Sequence, residues 1–206
     1  MGKKTIAVVG ASSGAGATFI ASRLAIAMGQ TDADVTFLER NDCTCNRCER
    51  LPLVYYELEL YKTFRFTDFF FEKATGRPVN NHINYLRGVN WVVRTPASPP
   101  CTILPEEVAG RYIIWDTGSD FMGADLILCV LAAETKHLMA GLDIIRSCRD
   151  NCRGKTLFIF NRLTSEAAAK SAEKLLQVEA DFCIGTSNAS QEEVISQLSE
   201  YILTLF

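Results

Sequence analysis

The sequence predicts an α/β fold, a three-layer, doubly wound and mostly parallel sheet of about seven strands with helices on both faces. Short, nearly continuous apolar runs alternate with longer stretches whose apolar residues recur at helical spacing, which is the pattern of parallel strands joined by crossover helices. The first apolar run ends in a dense glycine turn, GASSGAG at Gly10 to Gly16, that leads directly into a helical pattern. The chain has 206 residues, 48% of them hydrophobic and 22% charged, enough to bury one sizeable core and short for two.

Taken in order, strands are predicted at Thr5 to Val9, Val35 to Leu38, Val89 to Arg94, Tyr112 to Trp115, Leu126 to Leu131, Thr156 to Phe160 and Phe182 to Ile184. Phe19, Ile20, Arg23, Leu24 and Ala27 follow the glycine turn at helix spacing. Leu138, Leu142, Ile145 and Cys148 repeat that spacing, and Val194, Ile195, Leu198, Tyr201 and Ile202 form a closing amphipathic helix. The segment from Asn41 to Pro105 is irregular, with Pro96, Pro99 and Pro100 marking a loop. The chain is therefore expected to be a single domain over residues 1–206, with an aromatic and cysteine-containing insert at about 41–88. Within the insert Phe66, Phe69 and Phe70 stand at helix spacing and read as core, whereas an exposed Phe69-Phe70-Phe71 would mark a partner surface.

A net charge of −3 and a pI near 5.5 leave no general basic field, so no nucleic-acid partner is expected. The apolar run at the start, Ile6 to Val9, is short for a secretory leader and reads as a strand. No run approaches the roughly 18 apolar residues of a membrane span, so the expected location is cytoplasmic with at most peripheral membrane association. Eight cysteines without an export signal are expected to be reduced thiols, with Cys129 and Cys183 acting as small core residues.

A strand, a glycine-rich turn and a helix start make an anion site, because backbone N–H groups and the helix dipole converge there. Ser12-Ser13-Gly14-Ala15-Gly16-Ala17-Thr18 resembles the deviant Walker A loop of the MinD and ParA family, Lys-Gly-Gly-x-Gly-Lys-Thr. In that match Ser12 stands for the signature lysine and Ala17 for the loop lysine, while Thr18 keeps the place of the Mg²⁺-binding hydroxyl. Downstream, RYIIWDTGSDF at Arg111 to Phe121 resembles the family's Walker B and switch II region, with Asp116 at the strand end. ADLILCVLAAE, Ala124 to Glu134, is similar to the next strand, and LFIFNRL, Leu157 to Leu163, to the strand ending in Asn-Arg. The resemblance runs from about Lys4 to Ser190 and leaves Asn41 to Tyr85 unmatched.

The resemblance implies a P-loop NTPase-like domain that binds ATP or ADP with Mg²⁺. Its binding residues would be Gly10, Ser12, Ser13, Gly14, Ala15, Gly16, Ala17, Thr18, Asp116, Asn161 and Arg162, with Thr18 and Asp116 on the metal and Asn161 at the adenine. Glu39 and Asp116 would be remnants of the catalytic carboxylates. Because phosphoryl transfer depends on cations at the β and γ phosphates, loss of both lysines implies weak or absent hydrolysis. Arg23 and Arg162 are the candidate substitutes. The branch with atypical loops, which includes CpaE and TadZ-like proteins, further implies a bacterial localisation or assembly factor for pilus or division machinery, acting as a homodimer or with a protein partner.

Two other readings start from the residues. GASSGAG also resembles the Gly-x-x-x-Gly-x-Gly turn of short-chain dehydrogenases, which implies NAD(P) and would set Arg40 against a 2′-phosphate. That family's Tyr-x-x-x-Lys pair is missing, since the residues four beyond Tyr55, Tyr56, Tyr61, Tyr85 and Tyr112 are Glu59, Leu60, Arg65, Val89 and Asp116. Cys43, Cys45 and Cys48 form a Cys-x-Cys-x-x-Cys array of a kind that shares Zn²⁺ or an iron–sulfur cluster, with Cys101, His82 or a partner chain as fourth ligand. This is similar to a nickel-insertion relative of the same family with a Cys-x-Cys pair at its dimer interface. His82 and His137 are the only histidines, and neither is expected to be catalytic.

Overall fold

The computed structural model describes residues 2–40, 52–62, 66–79, 83–118, 121–150 and 155–206. Its frame is one eight-stranded sheet made of β1 (Lys4–Gly10), β2 (Val35–Glu39), β3 (Tyr85–Leu86), β4 (Val89–Val92), β5 (Tyr112–Thr117), β6 (Leu126–Ala132), β7 (Lys155–Leu163) and β8 (Phe182–Gly185). The strand order is β3-β4-β2-β5-β1-β6-β7-β8, with β3 antiparallel to β4 and every other pair parallel. The strand beyond the expected seven is β3, whose two-residue turn to β4, Arg87-Gly88, has both φ angles positive at 54° and 79°. Such a turn is normally announced by Asn-Gly or Asp-Gly, and arginine at its first position hides it.

The helices are α1 (Ala17–Gly29), α2 (Leu53–Glu57), α3 (Phe69–Ala74), α4 (Thr135–Ala140), α5 (Leu142–Arg149), α6 (Glu166–Leu176) and α7 (Asn188–Leu205). They cover both faces because the central strands are apolar on both: Ile6, Ala7, Val8 and Val9 are all fully buried. Ile6 and Val8 meet Ile20, Leu24 and Met28 of α1 and Leu198 and Ile202 of α7. Ala7 and Val9 belong to the opposite core, with Phe69 and Phe70 of α3, Leu138 of α4, Ile145 of α5 and Ala169 of α6. No helix among the described residues is long and apolar enough to cross a membrane.

Several details depart from the sequence expectations. Cys129 is buried as expected, but Cys183 is exposed. The helical pattern from Leu138 to Cys148 is split at Gly141, where a Cβ would lie 2.8 Å from the Ala11 carbonyl oxygen, so the break lets two short helices close on the glycine turn. The β7 strand runs past Phe160 to Leu163 through an irregularity in its pairing with β8, where Arg162 takes φ of 59°. In the insert Phe69 and Phe70 are core as expected, but Phe66 packs against the core on the other side of the sheet and Phe71 is half exposed. Asp68 caps α3, accepting from the Phe70 and Phe71 N–H groups and from the hydroxyls of Thr95 and Ser98.

The far end of α1 is also anchored. Gly29 abuts Gly88 so closely that a Cβ on either would come within 2.7 Å of the other's carbonyl oxygen. Helix α1 therefore runs from the glycine turn at its start to the β3-β4 hairpin at its end.

Candidate functional site

Parallel registers bring the expected site residues to one edge of the sheet. Glu39 of β2 pairs with Asp116 of β5, Val8 of β1 also pairs with Asp116, and Ala132 of β6 pairs with Asn161 of β7. These are carboxyl ends of strands, and β1 sits where successive connections diverge to either side, the place where ligands bind in open α/β sheets.

The loop between β1 and α1 lies over that edge. Gly14 and Gly16 hold φ of 79° and 94°, angles that an L side chain rarely adopts, and Gly16 serves as the N-cap of α1 with no side-chain hydrogen bond to the first turn. First-turn N–H groups lacking a side-chain cap are what an anion at a helix start uses. The loop is fixed by three contacts. Ala11 N–H donates to the Val130 carbonyl at 2.9 Å, Ala15 N–H donates to the Ser12 carbonyl at 3.1 Å, and the Asn161 amide donates to the Ala15 carbonyl at 2.9 Å.

Thr18 and Asp116 meet directly, the hydroxyl donating to the carboxylate at 2.7 Å. Hydroxyl and carboxylate are hard oxygen ligands, and Mg²⁺ commonly takes one or two such groups and fills its shell with phosphate oxygens and water. The pair fits a Mg²⁺ site. No cluster of three or more His, Cys, Asp or Glu side chains arranged for a metal occurs among the described residues. Cys43, Cys45, Cys48 and His82 lie outside those residues, and Cys101 donates its thiol to the Phe70 carbonyl at 3.3 Å.

The remaining expected residues are placed with less direct roles. Asn161 is buried and braces the loop, its oxygen accepting from Arg162 N–H at 2.9 Å. Arg162 is exposed beside it. Glu39 is only 5% exposed and is held by Arg94, whose guanidinium and backbone N–H donate to its two oxygens at 2.9 Å each. Arg23 stacks over the Phe19 ring at 5.5 Å, on the helix rather than on the loop. Arg40 lies across Gly118, where any Cβ would collide with its guanidinium. Beyond Asn161, Leu163, Thr164, Ser165, Glu166, Ala169, Cys183 and Gly185 line an open depression of about 320 Å³.

His137 was not singled out by its sequence context, yet it covers the loop. Its Nδ1 shares a 3.2 Å hydrogen bond with the Ser12 hydroxyl, and its Cε1 lies 3.8 Å from where a Gly14 Cβ would be. The Gly141 break beside it is the one signal in the sequence that a helix turns toward the loop.

Strand order separates the two nucleotide folds that share a glycine turn. In the dinucleotide fold β1 lies next to β2, in the order 3-2-1-4-5-6. Here β5 is inserted between them, and β1 is flanked by β5 and β6. This is the fold of the MinD and ParA ATPases. The MinD/ParA-like architecture is matched over nearly the whole chain by solved structures. A plasmid partition protein from Borrelia burgdorferi superposes with a TM-score of 0.73 at 15% identity, covering 100% of both chains. The septum site-determining protein MinD from Pyrococcus horikoshii OT3, complexed with Mg-ADP, gives 0.70 at 13% identity over 98% of this chain and 97% of its own. A ParA family ATPase from Chlorobium tepidum TLS gives 0.63 at 15% identity over 98% and 99%. No protein-family model and no curated protein sequence matches the chain. Identities this low carry the MinD/ParA-like fold and leave the chemistry to the residues.

Proposed function

We propose that residues 1–206 act as one nucleotide-binding unit that holds ADP or ATP with Mg²⁺ at the loop from Gly10 to Thr18 and hydrolyses ATP slowly or not at all. The observation that carries this reading is the contact of Thr18 with Asp116 at 2.7 Å beside a loop whose Gly14 and Gly16 hold positive φ. The loop N–H groups would receive the phosphates, Thr18 and Asp116 would hold Mg²⁺, and Asn161 would brace the loop. The depression beyond Asn161, with Leu163 and Ala169 beside the polar Thr164, Ser165 and Glu166, would receive the base. Mg²⁺ would supply positive charge at the phosphates.

Neither lysine position of the loop carries a cation. Ser12 and Ala17 replace the two lysines, Arg23 is stacked on Phe19, and Glu39 is tied to Arg94. A protein that binds nucleotide without consuming it suits a localisation or assembly role, in a pilus or division machine, as a homodimer or with a protein partner.

Melting temperatures measured with Mg-ATP, Mg-ADP, NAD⁺ and NADPH test the reading, because a ligand that binds only the folded state raises the melting point. The adenine nucleotides should raise it, and Thr18→Ala should weaken the effect. A shift confined to NAD⁺ or NADPH, or no shift at all, would overturn it.

A further inference from the structure

Ser12 stands where the signature lysine would be, and the group that reaches it is His137. The imidazole also lies over Gly14, so it meets the loop at two positions. We infer that His137 is the cation of this loop: its protonated form contacts the nucleotide phosphates from above in place of the missing lysines and makes binding dependent on pH. The inference rests on the reading that the loop binds nucleotide phosphate.

Hydrogen bonding at Ser12 shows how one side chain serves both states. With Nδ1 unprotonated the Ser12 hydroxyl donates to it, and with Nδ1 protonated the bond reverses and the hydroxyl becomes the acceptor. The reversal frees the serine hydrogen for an anion, while Nε2–H is a donor in both states and becomes a charged one, which makes roughly twice the bond of a neutral donor. A lysine stays charged through the physiological range, whereas an imidazole gains and loses its charge between about pH 5 and 8.

The carboxylates on the elements packed around His137 have partners of their own. The loop residues Ser12, Ser13 and Gly14 are uncharged. Glu134, at the start of α4, is paired with Lys136 at 3.0 Å. Its carboxyl is held below its usual range first by that hydrogen bond, with His137 and Arg162 adding attraction. On α5 Asp143 faces Arg146 at 3.8 Å, and on α6 Glu166 pairs with Lys170 at 2.7 Å. Asp143 and Glu166 thus have basic partners, and the third carboxylate of those helices, Glu173, accepts from the Ala180 N–H at 2.9 Å. Arg162, at the end of β7, adds a fixed positive charge to the same surface.

Affinity for Mg-ADP, measured by calorimetry from pH 5.5 to 8.5 on the full chain, tests the inference. Binding by the native protein should weaken by about tenfold in all between pH 5.5 and 8.5, about 1.4 kcal/mol, beyond any change it shares with a variant lacking the imidazole. His137→Gln should lower affinity about tenfold at pH 5.5 and leave it little changed at pH 8.5. His137→Lys should restore binding and extend it to pH 8.5. Terminal phosphate itself titrates near about pH 6, so the difference between native and His137→Gln profiles is the readout. Melting curves without nucleotide confirm that each variant is folded. Parallel profiles for native and His137→Gln would overturn the role of His137 while leaving the nucleotide reading intact, whereas no binding by the native protein at any pH would overturn both.

Discussion

The side-chain amide of Asn161 spans two elements, donating to the Ala15 carbonyl of the glycine loop at 2.9 Å and accepting from the Arg162 N–H at 2.9 Å. It fits because Gly16 has no side chain, a Cβ there falling 2.3 Å from the amide nitrogen. Asn161→Ala should leave the Ala15 carbonyl without this donor and cost about 1–3 kcal/mol, read by urea denaturation. Gly16→Ala should cost at least as much, since it adds strain at positive φ to the clash.

Glu39 acts as a structural ion-pair partner. Its carboxylate is only 5% exposed and is held on both oxygens by Arg94. Removing one member of a buried pair costs about 3–5 kcal/mol, so Glu39→Ala should lower stability by that order. Mg-ADP affinity at a temperature where the variant is folded should stay within about twofold, a ratio worth about 0.4 kcal/mol. A variant of native stability that has lost nucleotide affinity would return Glu39 to the binding site.

The missing cation can be put back. Ala17 opens α1 and is half-buried beside Gly10. Ala17→Lys should tighten Mg-ADP about tenfold, the worth of one charge-assisted hydrogen bond of about 1.4 kcal/mol. Steady-state ATP turnover by the native protein should be near background and stay there in Asp116→Ala. Ordinary turnover that Asp116→Ala abolishes would show that the loop hydrolyses ATP without its lysines.

Acid should loosen the insert first at Glu107. Burial pushes this carboxyl up, but hydrogen bonds from Lys73 and the Leu104 N–H, with the Lys73 charge, outweigh it and hold the carboxyl below its usual value. A carboxyl depressed by folding stabilises the protein above its unfolded pKa, and the contribution is lost as pH falls through the folded value. Melting temperature should therefore fall below about pH 4, and Glu107→Gln should flatten that limb. Because Lys73 belongs to α3, hydrogen exchange should report the loss there before the central strands.

The strands and the loop were legible because their signals are local. Apolar runs bounded by turns marked all seven strands of the parallel array, and the glycines marked the anion loop. Asp116 and Asn161 were legible as strand ends, and registry alone then brought them to one edge. What stayed hidden depends on contacts between distant residues. Nothing around Arg94 shows that it reaches Glu39, 55 positions away, and nothing around His137 shows that it reaches Ser12, 125 positions away. The β3-β4 hairpin was missed because arginine fills a turn position that asparagine usually announces. Strand order, which a glycine turn does not encode, separates this fold from the dinucleotide fold.

The paired glycines at the far end of α1 give the helix a mechanical role. Its 13 residues make a strut of about 20 Å at 1.5 Å per residue. One end carries the anion loop, and the other is seated backbone to backbone on the turn that returns the chain from the insert. A partner that grips the insert and shifts the hairpin would push on the loop from behind, and a phosphate that settles the loop would stiffen the hairpin. The glycine contact thus ties the hairpin that closes the insert directly to the helix that carries the glycine loop.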